Sequence, residues 1–515
     1  MKFFLLNQFN LVALVAFVLI WCAPLFGQSI HYKIAMPEPS RHLFHITILI
    51  ENPGVLPLHL SLPAWNATYL VRNFSKYLTQ LQANVEVRRI DKQTWRLDPA
   101  GASRIQVNYT VFANEGNPFS SQLNKDHAFL NNANLLLLWR EQRNLPLSLE
   151  VKTPPDWTIA TSLQRSSGDN VFIADNYDHL VDSPIDIGEL TRLHFTVRDT
   201  PIHVSIDGGH SDADALALVE MLETIVNGHV NLMGDVPFDY YYFLYHFTEG
   251  NSGGGMEHRD STAIHKKFIP GKTSITSLAG VSSHEFFHLW NVKRIRSEAM
   301  EPIDYFKEDY STALWFSEGF TSYYGDLVLK RTGILSREEY YQSLARQIEL
   351  LQSRTGRYEL SAAEVSLLTW FDNDPYYRKK ENSFSYYNKG LLIALLFDFK
   401  IRHATDNQFT MDDVMRHLNE SYAKKGKYFD DDYGIARAIT ETTGLKLDSL
   451  YRDFVHRKVD LPYEKILRFA GLELIAPAND TSSPVAKYQI REITNPTSKQ
   501  IKIRESWLAG RVKSR

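Results

Sequence analysis

Residues 282–291 read Ser-Ser-His-Glu-Phe-Phe-His-Leu-Trp-Asn, SSHEFFHLWN in one-letter code. Two histidines stand four apart, and a glutamate follows the first. On an α-helix, positions i and i+4 share one face, so His284 and His288 can aim their rings at one point while Glu285 lies to the side. Two readings compete for this pattern. One is an ordinary helix with two satisfied histidines; the other is a metal site whose glutamate holds a water. Phe286, Phe287, Leu289 and Trp290 make the helix apolar on several faces, which predicts burial, and buried imidazoles need partners to offset desolvation.

Three further stretches bear on the choice. Residues 314–324, LWFSEGFTSYY, set Glu318 among aromatic residues in helix-compatible sequence. It is either a surface glutamate or a third ligand, giving a His₂Glu site with an open fourth position. Gly253-Gly-Gly-Met-Glu257 follows an expected strand. Gly254, Gly255 and Met256 bring backbone close to a ligand, and Glu257 offers a carboxylate to a substrate's α-ammonium; alternatively this is a glycine-rich loop ending in an exposed acid. In Ser385-Tyr-Tyr-Asn-Lys-Gly390, Tyr387 is either a packing residue or a hydrogen-bond donor to an oxyanion. Asp326 is a candidate partner for a ligand histidine, or a helix-surface acid.

Composition narrows the function classes. The chain has 515 residues, a net charge of −4 and no low-complexity tract. That length allows two or three domains, and that charge gives no reason to expect a nucleic-acid partner. The basic C-terminal segment (Lys499, Lys502, Arg504, Arg511, Lys513, Arg515) reads as a solvated tail. At the N-terminus, Lys2 and the apolar run from Leu11 to Ala23 read as an export signal, with small Gly27 as a cleavage point; an uncleaved anchor is the alternative. The expected location is periplasmic or secreted, with no stable membrane span once the signal is removed. Cys22 is the single cysteine, and Trp21 before it argues against lipidation. A mature chain without cysteine must bind metal through histidine and carboxylate.

Hydrophobic periodicity divides the chain. Phe44, Ile46, Ile48 and Ile50 alternate, as do Ile105, Val107, Tyr109 and Val111, and Leu193 to Val197 repeats the theme. An antiparallel β-domain is expected over 28–200, without a catalytic constellation of its own. A strand from Ile202 to Ile206 then leads to Ser211, an N-cap with Asp214 three residues on. Leu216, Val219, Leu222, Ile225 and Val226 mark a helix face ending at Gly228. A further strand runs from Tyr240 to Phe247. Helical spacing dominates later, as in Leu344, Ile348 and Leu351, or Val414, Leu418 and Tyr422. The expected order is a signal at 1–27, the β-domain, an α/β catalytic domain at 201–332, a helical domain at 333–475 and a tail at 476–515. Asn495 to Leu508 is expected to form a short helix packed by Trp507.

HEFFHLWNVKRIR and LWFSEGFTSYYGD, with GGGMEH upstream, YYNKG downstream and LVRNFSKYL at 70–78, resemble the glycyl aminopeptidase family of zinc metallopeptidases. That family is similar in catalytic logic to the aminopeptidase N group. The resemblance spans most of residues 30–475 and implies an α+β multidomain fold: a β-domain, a thermolysin-like catalytic domain and a helical domain. It implies one Zn²⁺ held by His284, His288 and Glu318, with Glu285 as general base and Tyr387 at the oxyanion. Glu257, in the glycine-rich motif, is implied to bind the substrate's amino terminus, and peptides with small N-terminal residues such as glycine or alanine are the implied substrates. The rival functions are a zinc endopeptidase using the same site and a non-catalytic binding module. Members often carry a PDZ domain; about forty residues follow Leu474, too few for one, so none is expected. Oligomeric state is not legible.

Overall fold

The computed structural model describes residues 27–66, 69–250, 253–371, 379–476 and 488–510. The expected export signal falls outside them, save for Gly27. Phe44, Ile46, Ile48 and Ile50 are buried on the strand Leu43–Glu51, which runs antiparallel to Arg104–Phe112. Ile46 faces Tyr109, Ile48 faces Val107 and Ile50 faces Ile105, so the two period-two patterns bury one common face. A seven-stranded and two four-stranded sheets enclose this apolar cluster. Among the described residues their pairings are antiparallel, except that Ser29–Ala35 lies parallel to Leu147–Lys152.

The third alternating stretch belongs elsewhere. Thr191–Val197 pairs antiparallel with Thr200–Asp207 and opens a five-stranded sheet. Its order is 191–197, 200–207, 241–248, 261–267 and 253–257. The sheets therefore divide after Gly188 rather than at residue 200. Alternation predicts a strand but not the sheet it joins; here a tight hairpin ties 191–197 to its successor.

Thr200–Asp207 leads through the helix Asp212–Met233 to the parallel strand Tyr241–Thr248. Ser211 and Asp214 cap that helix reciprocally. It runs past Gly228, the expected end, and stops at left-handed Gly234. A Cβ at residue 228 would meet Val328 and Thr332 at 2.6 Å, so this glycine permits a close helix crossing. Leu216, expected on the buried face, is 57 % exposed, and Ala215 and Leu218 are buried instead.

Leu344, Ile348 and Leu351 face inward on Arg337–Gln352 as their spacing predicts. One apolar cluster extends from Ala64 to Leu508, so the expected boundary at 332 is a change of secondary structure and not of core. The C-terminal segment completes this core, with the helix expected from Asn495 to Leu508 present and packed by Trp507. Gln489–Glu492 pairs with Leu472–Ile475, and the helix Ser498–Ala509 seats fully buried Trp507, whose indole donates to the Tyr323 hydroxyl at 2.9 Å. Arg504, read as solvated, is buried and pairs with Glu492 at 2.9 Å. No helix among the described residues is long and apolar enough to cross a membrane.

Candidate active site

The helix Ala279–Phe287 carries His284, and His288 is its C-cap, still helical, with its N–H bonded to the His284 carbonyl. Phe286 anchors the helix on the five-stranded sheet, packing against Tyr241 and Phe243. Glu318 lies at the junction between the short helix Leu314–Ser317 and the helix Gly319–Thr332. That junction presses on the helix Tyr386–Ala404: a Cβ on Gly319 would stand 2.4 Å from Gly390, and one on Gly390 would stand 2.0 Å from the Trp315 carbonyl oxygen. Only glycine on both helices permits this crossing, which brings Tyr387 to the ligands. Its ring lies 6.0 Å from that of His284.

The ligand atoms converge. His284 Nε2 and His288 Nε2 are 3.0 Å apart, and Glu318 Oε2 is 3.5 Å from the first and 3.3 Å from the second. A tetrahedral zinc with bonds of 2.0–2.1 Å separates its ligands by about 3.3 Å. The ring orientations agree. His288 Nδ1 donates to the Asn291 carbonyl at 2.8 Å, leaving the Nε2 lone pair for a metal, and His284 Nδ1 lies 3.3 Å from Ser322 Oγ. Glu318 Oε2 is buried with no hydrogen-bond partner among the described residues. Two lone pairs and a carboxylate facing one point require a cation, so the donor set fits zinc.

Electrostatics say the same. Burial opposes charge on Glu318, yet His288 and His284 hold its carboxyl well below the usual carboxylate range. Burial likewise opposes protonation of His288, but Glu318 and Glu257 outweigh it and raise the ring to about 10. The cluster thus favours a positive charge at its centre, which a bound zinc would supply. Burial pushes Glu285 up to about 8, with Glu257 and Glu318 adding to it, and a dication beside it acts in the opposite sense. Burial, with Glu318 nearby, lifts the Tyr387 hydroxyl well above the tyrosine range, so it remains a donor.

The strand Gly253–Glu257 forms the free edge of the sheet. A Cβ on Gly255 would lie 2.3 Å from the Glu285 carboxyl, so the edge strand runs hard against the candidate base. His258 N–H bonds to the Ser261 carbonyl. By antiparallel alternation, Met256 and Gly254 then bond inward, while Gly255 and Glu257 turn their N–H and C=O groups to the open edge. Of the expected substrate contacts, Glu257 and Gly255 line the cavity, and Gly254 and Met256 do not. Strand alternation sends the Met256 side chain to the other face, where its sulfur accepts from Asn131 Nδ2.

The cavity, about 100 Å³, is also walled by Trp65, Tyr69 and Phe119 of the N-terminal domain, with Met300 and Ile303. That domain, expected to hold no catalytic constellation of its own, thus contributes walls to the site. Asn291, fully buried, was likewise unread: its amide donates to the Phe316 and Ser317 carbonyls, so one side chain ties the His288 turn to the Glu318 junction. The polar end of an otherwise apolar HLWN run was its signal. Asp326 is not a ligand partner; it accepts from Ser343 at 3.0 Å, and Ser322 occupies the place beside His284.

A βαβ sheet with an antiparallel edge strand, a two-histidine helix and a glutamate from the following helix define a zinc metallopeptidase of the aminopeptidase type. Family models for the peptidase M61 N-terminal domain and for the M61 glycyl aminopeptidase match residues 31–189 and 277–393. The chain belongs to the M61 glycyl aminopeptidase family. It is similar to an aminopeptidase N family protein from Idiomarina loihiensis, with 31 % identity and a TM-score of 0.83 over 88 % of this chain and 80 % of that one. An M1 zinc metallopeptidase from Deinococcus radiodurans, in a variant bound to Tyr-Ser-Ala, is 14 % identical with a TM-score of 0.52, covering 84 % of this chain and 94 % of its own. Yeast LTA4 hydrolase is 13 % identical with a TM-score of 0.52, covering 84 % and 69 %. The last two share the fold. No curated protein matches the chain.

Proposed function

We propose that this zinc metallo-aminopeptidase removes single small residues from the free N-terminus of peptides. The observation that carries the reading is the position of Glu257: carboxylate oxygens of Glu257 and Glu285 and a ring nitrogen of His288 lie within 4.8 Å of one another. An α-ammonium held by Glu257 sets the first peptide carbonyl, and no later one, beside the metal ligands. The aromatic walls leave room for a short side chain, in keeping with glycine or alanine.

His284, His288 and Glu318 would hold the metal, which when bound would supply Lewis acidity, lowering the pKa of a water toward ~7 and polarising the carbonyl. Glu285 takes the water's proton on its carboxylate and passes it to the leaving amine. Tyr387 donates a hydrogen bond to the developing oxyanion. Gly255 and Glu257 present backbone groups to the extended peptide as an added strand. Export of the protein belongs to the same proposal, supported by Lys2 and the apolar run from Leu11 to Ala23.

Free and N-acetylated forms of one alanyl peptide series test the reading. Hydrolysis of the free form alone is expected. Equal rates on both would make the enzyme an endopeptidase with Glu257 uninvolved.

A further inference from the structure

The sheet face turned away from the ligand helix carries a second group of metal-ligating side chains. Asp207, His246 and His265 are direct neighbours across the three adjacent strands Thr200–Asp207, Tyr241–Thr248 and Ser261–Lys267. His127, on the strand His127–Leu130 of the N-terminal domain, closes over this row, its ring stacked on His246 at 4.7 Å. His127 Nδ1 lies 3.8 Å from Asp207 Oδ2, and His246 Nδ1 lies 2.5 Å from the same oxygen. All three ligand atoms fall within 4.8 Å of one another.

Three features distinguish this cluster from a set of ion pairs. Asp186 accepts from His127 Nε2, and both side chains are almost fully buried, at 2 % and 3 % exposure. That bond turns Nδ1 toward Asp207, 3.8 Å away, where the two carboxylates outweigh burial and favour a proton on the ring; with that proton displaced by an ion the arrangement is carboxylate–histidine–metal. Next, Nδ1 of His127 and Nδ1 of His246 are buried without hydrogen-bond partners among the described residues. His246 Nδ1 makes a close ion-pair contact with Asp207 Oδ2, and His127 Nδ1 stands 3.8 Å from that same oxygen. Finally, Asp207 and His246 keep 16 % and 12 % of their side-chain surface exposed, which leaves an entry path and a position for water.

We propose that His127, His246 and Asp207 form a second divalent-metal site, which takes a zinc-class ion and pins the N-terminal β-domain to the catalytic sheet. Two imidazoles and a carboxylate select a first-row transition ion over calcium or magnesium. The ion gives His127 Nδ1 a close partner, and its ligands come from both domains, so binding stabilises their interface.

Zinc equilibrium dialysis on the full chain tests this. Two ions per chain are expected for the unmodified protein, and one for the double variant His284→Ala, His288→Ala, which lacks the catalytic ligands. One is also expected for His246→Ala, which retains the catalytic ion, and for Asp207→Asn. Asp186→Asn is expected to weaken the second ion by about 10–100-fold. Zinc should raise the melting temperature of the double variant, and adding His246→Ala should abolish that rise. One ion in the unmodified protein, together with none in the double variant, would overturn the proposal and leave the histidine row as a proton-held contact.

Discussion

At the residue scale the chemistry rests on a few carboxylates in one small volume. Glu285 is buried beside Glu257 and His288, the position the proposed general base needs. Glu285→Gln keeps shape and ligands but removes the base, so kcat should fall by about 10²–10⁴-fold with zinc content unchanged by metal analysis. Substantial turnover in that variant would assign the proton to another group. Glu257→Ala removes the proposed partner of the substrate's ammonium. Loss of a charged hydrogen bond should lower kcat/KM on free peptides by about 10–100-fold while leaving N-acetylated peptides as poor substrates as before. These residues were legible because their types and spacing carry the chemistry. Asn291 and Ser322 were not, since a single polar residue in an apolar run does not reveal the bond it makes.

At the scale of elements the site depends on close approaches that glycine allows. The edge strand touches Glu285 at Gly255, and Gly319 crosses Gly390 at the Glu318 junction. Gly255→Ala puts a methyl group where the Glu285 carboxyl stands, so kcat should drop by about 10–100-fold. Metal content and melting temperature should stay near those of the unmodified protein; a loss of zinc would instead mean the strand holds the ligands themselves. The glycines of GGGME were visible as a close-approach signal, but which of them the approach requires was not. Met256 follows the same rule: a period-two strand turns alternate residues to opposite faces, and its register was unknown before the hairpin at His258 and Ser261 was seen.

At the scale of the whole molecule, Asp182 of the N-terminal domain joins the two sides of the site. It accepts from Lys293 Nζ at 2.8 Å and from His258 Nδ1 at 3.2 Å, tying the turn after HLWN to the hairpin after Glu257. Burial alone would raise its carboxyl, but Lys293 and His258 hold it well below the usual carboxylate range. A carboxyl whose folded pKa is depressed contributes stability that is complete above its unfolded pKa and is lost as pH falls toward the folded one. Asp182→Asn should therefore cost about 2–3 kcal/mol at pH 7, with the difference shrinking below ~pH 4. Denaturant melts at several pH values measure it, and a pH-independent difference would show that packing, not charge, is what is lost.

The sequence by itself determined the alternating strands, the capped helices, the spacing of His284, Glu285 and His288, and the resemblance to the family. Each of these is encoded locally, by periodicity, capping chemistry or motif spacing. Tertiary structure alone decided that Thr191–Val197 joins the catalytic sheet, that Arg504 is buried in the core rather than solvated, and that Trp65, Tyr69 and Phe119 wall the cavity. It also brought His127 over Asp207 and His246. Local pattern specifies what an element is and which face it buries; its partner is chosen by contacts between residues far apart in the chain, and no single stretch contains them.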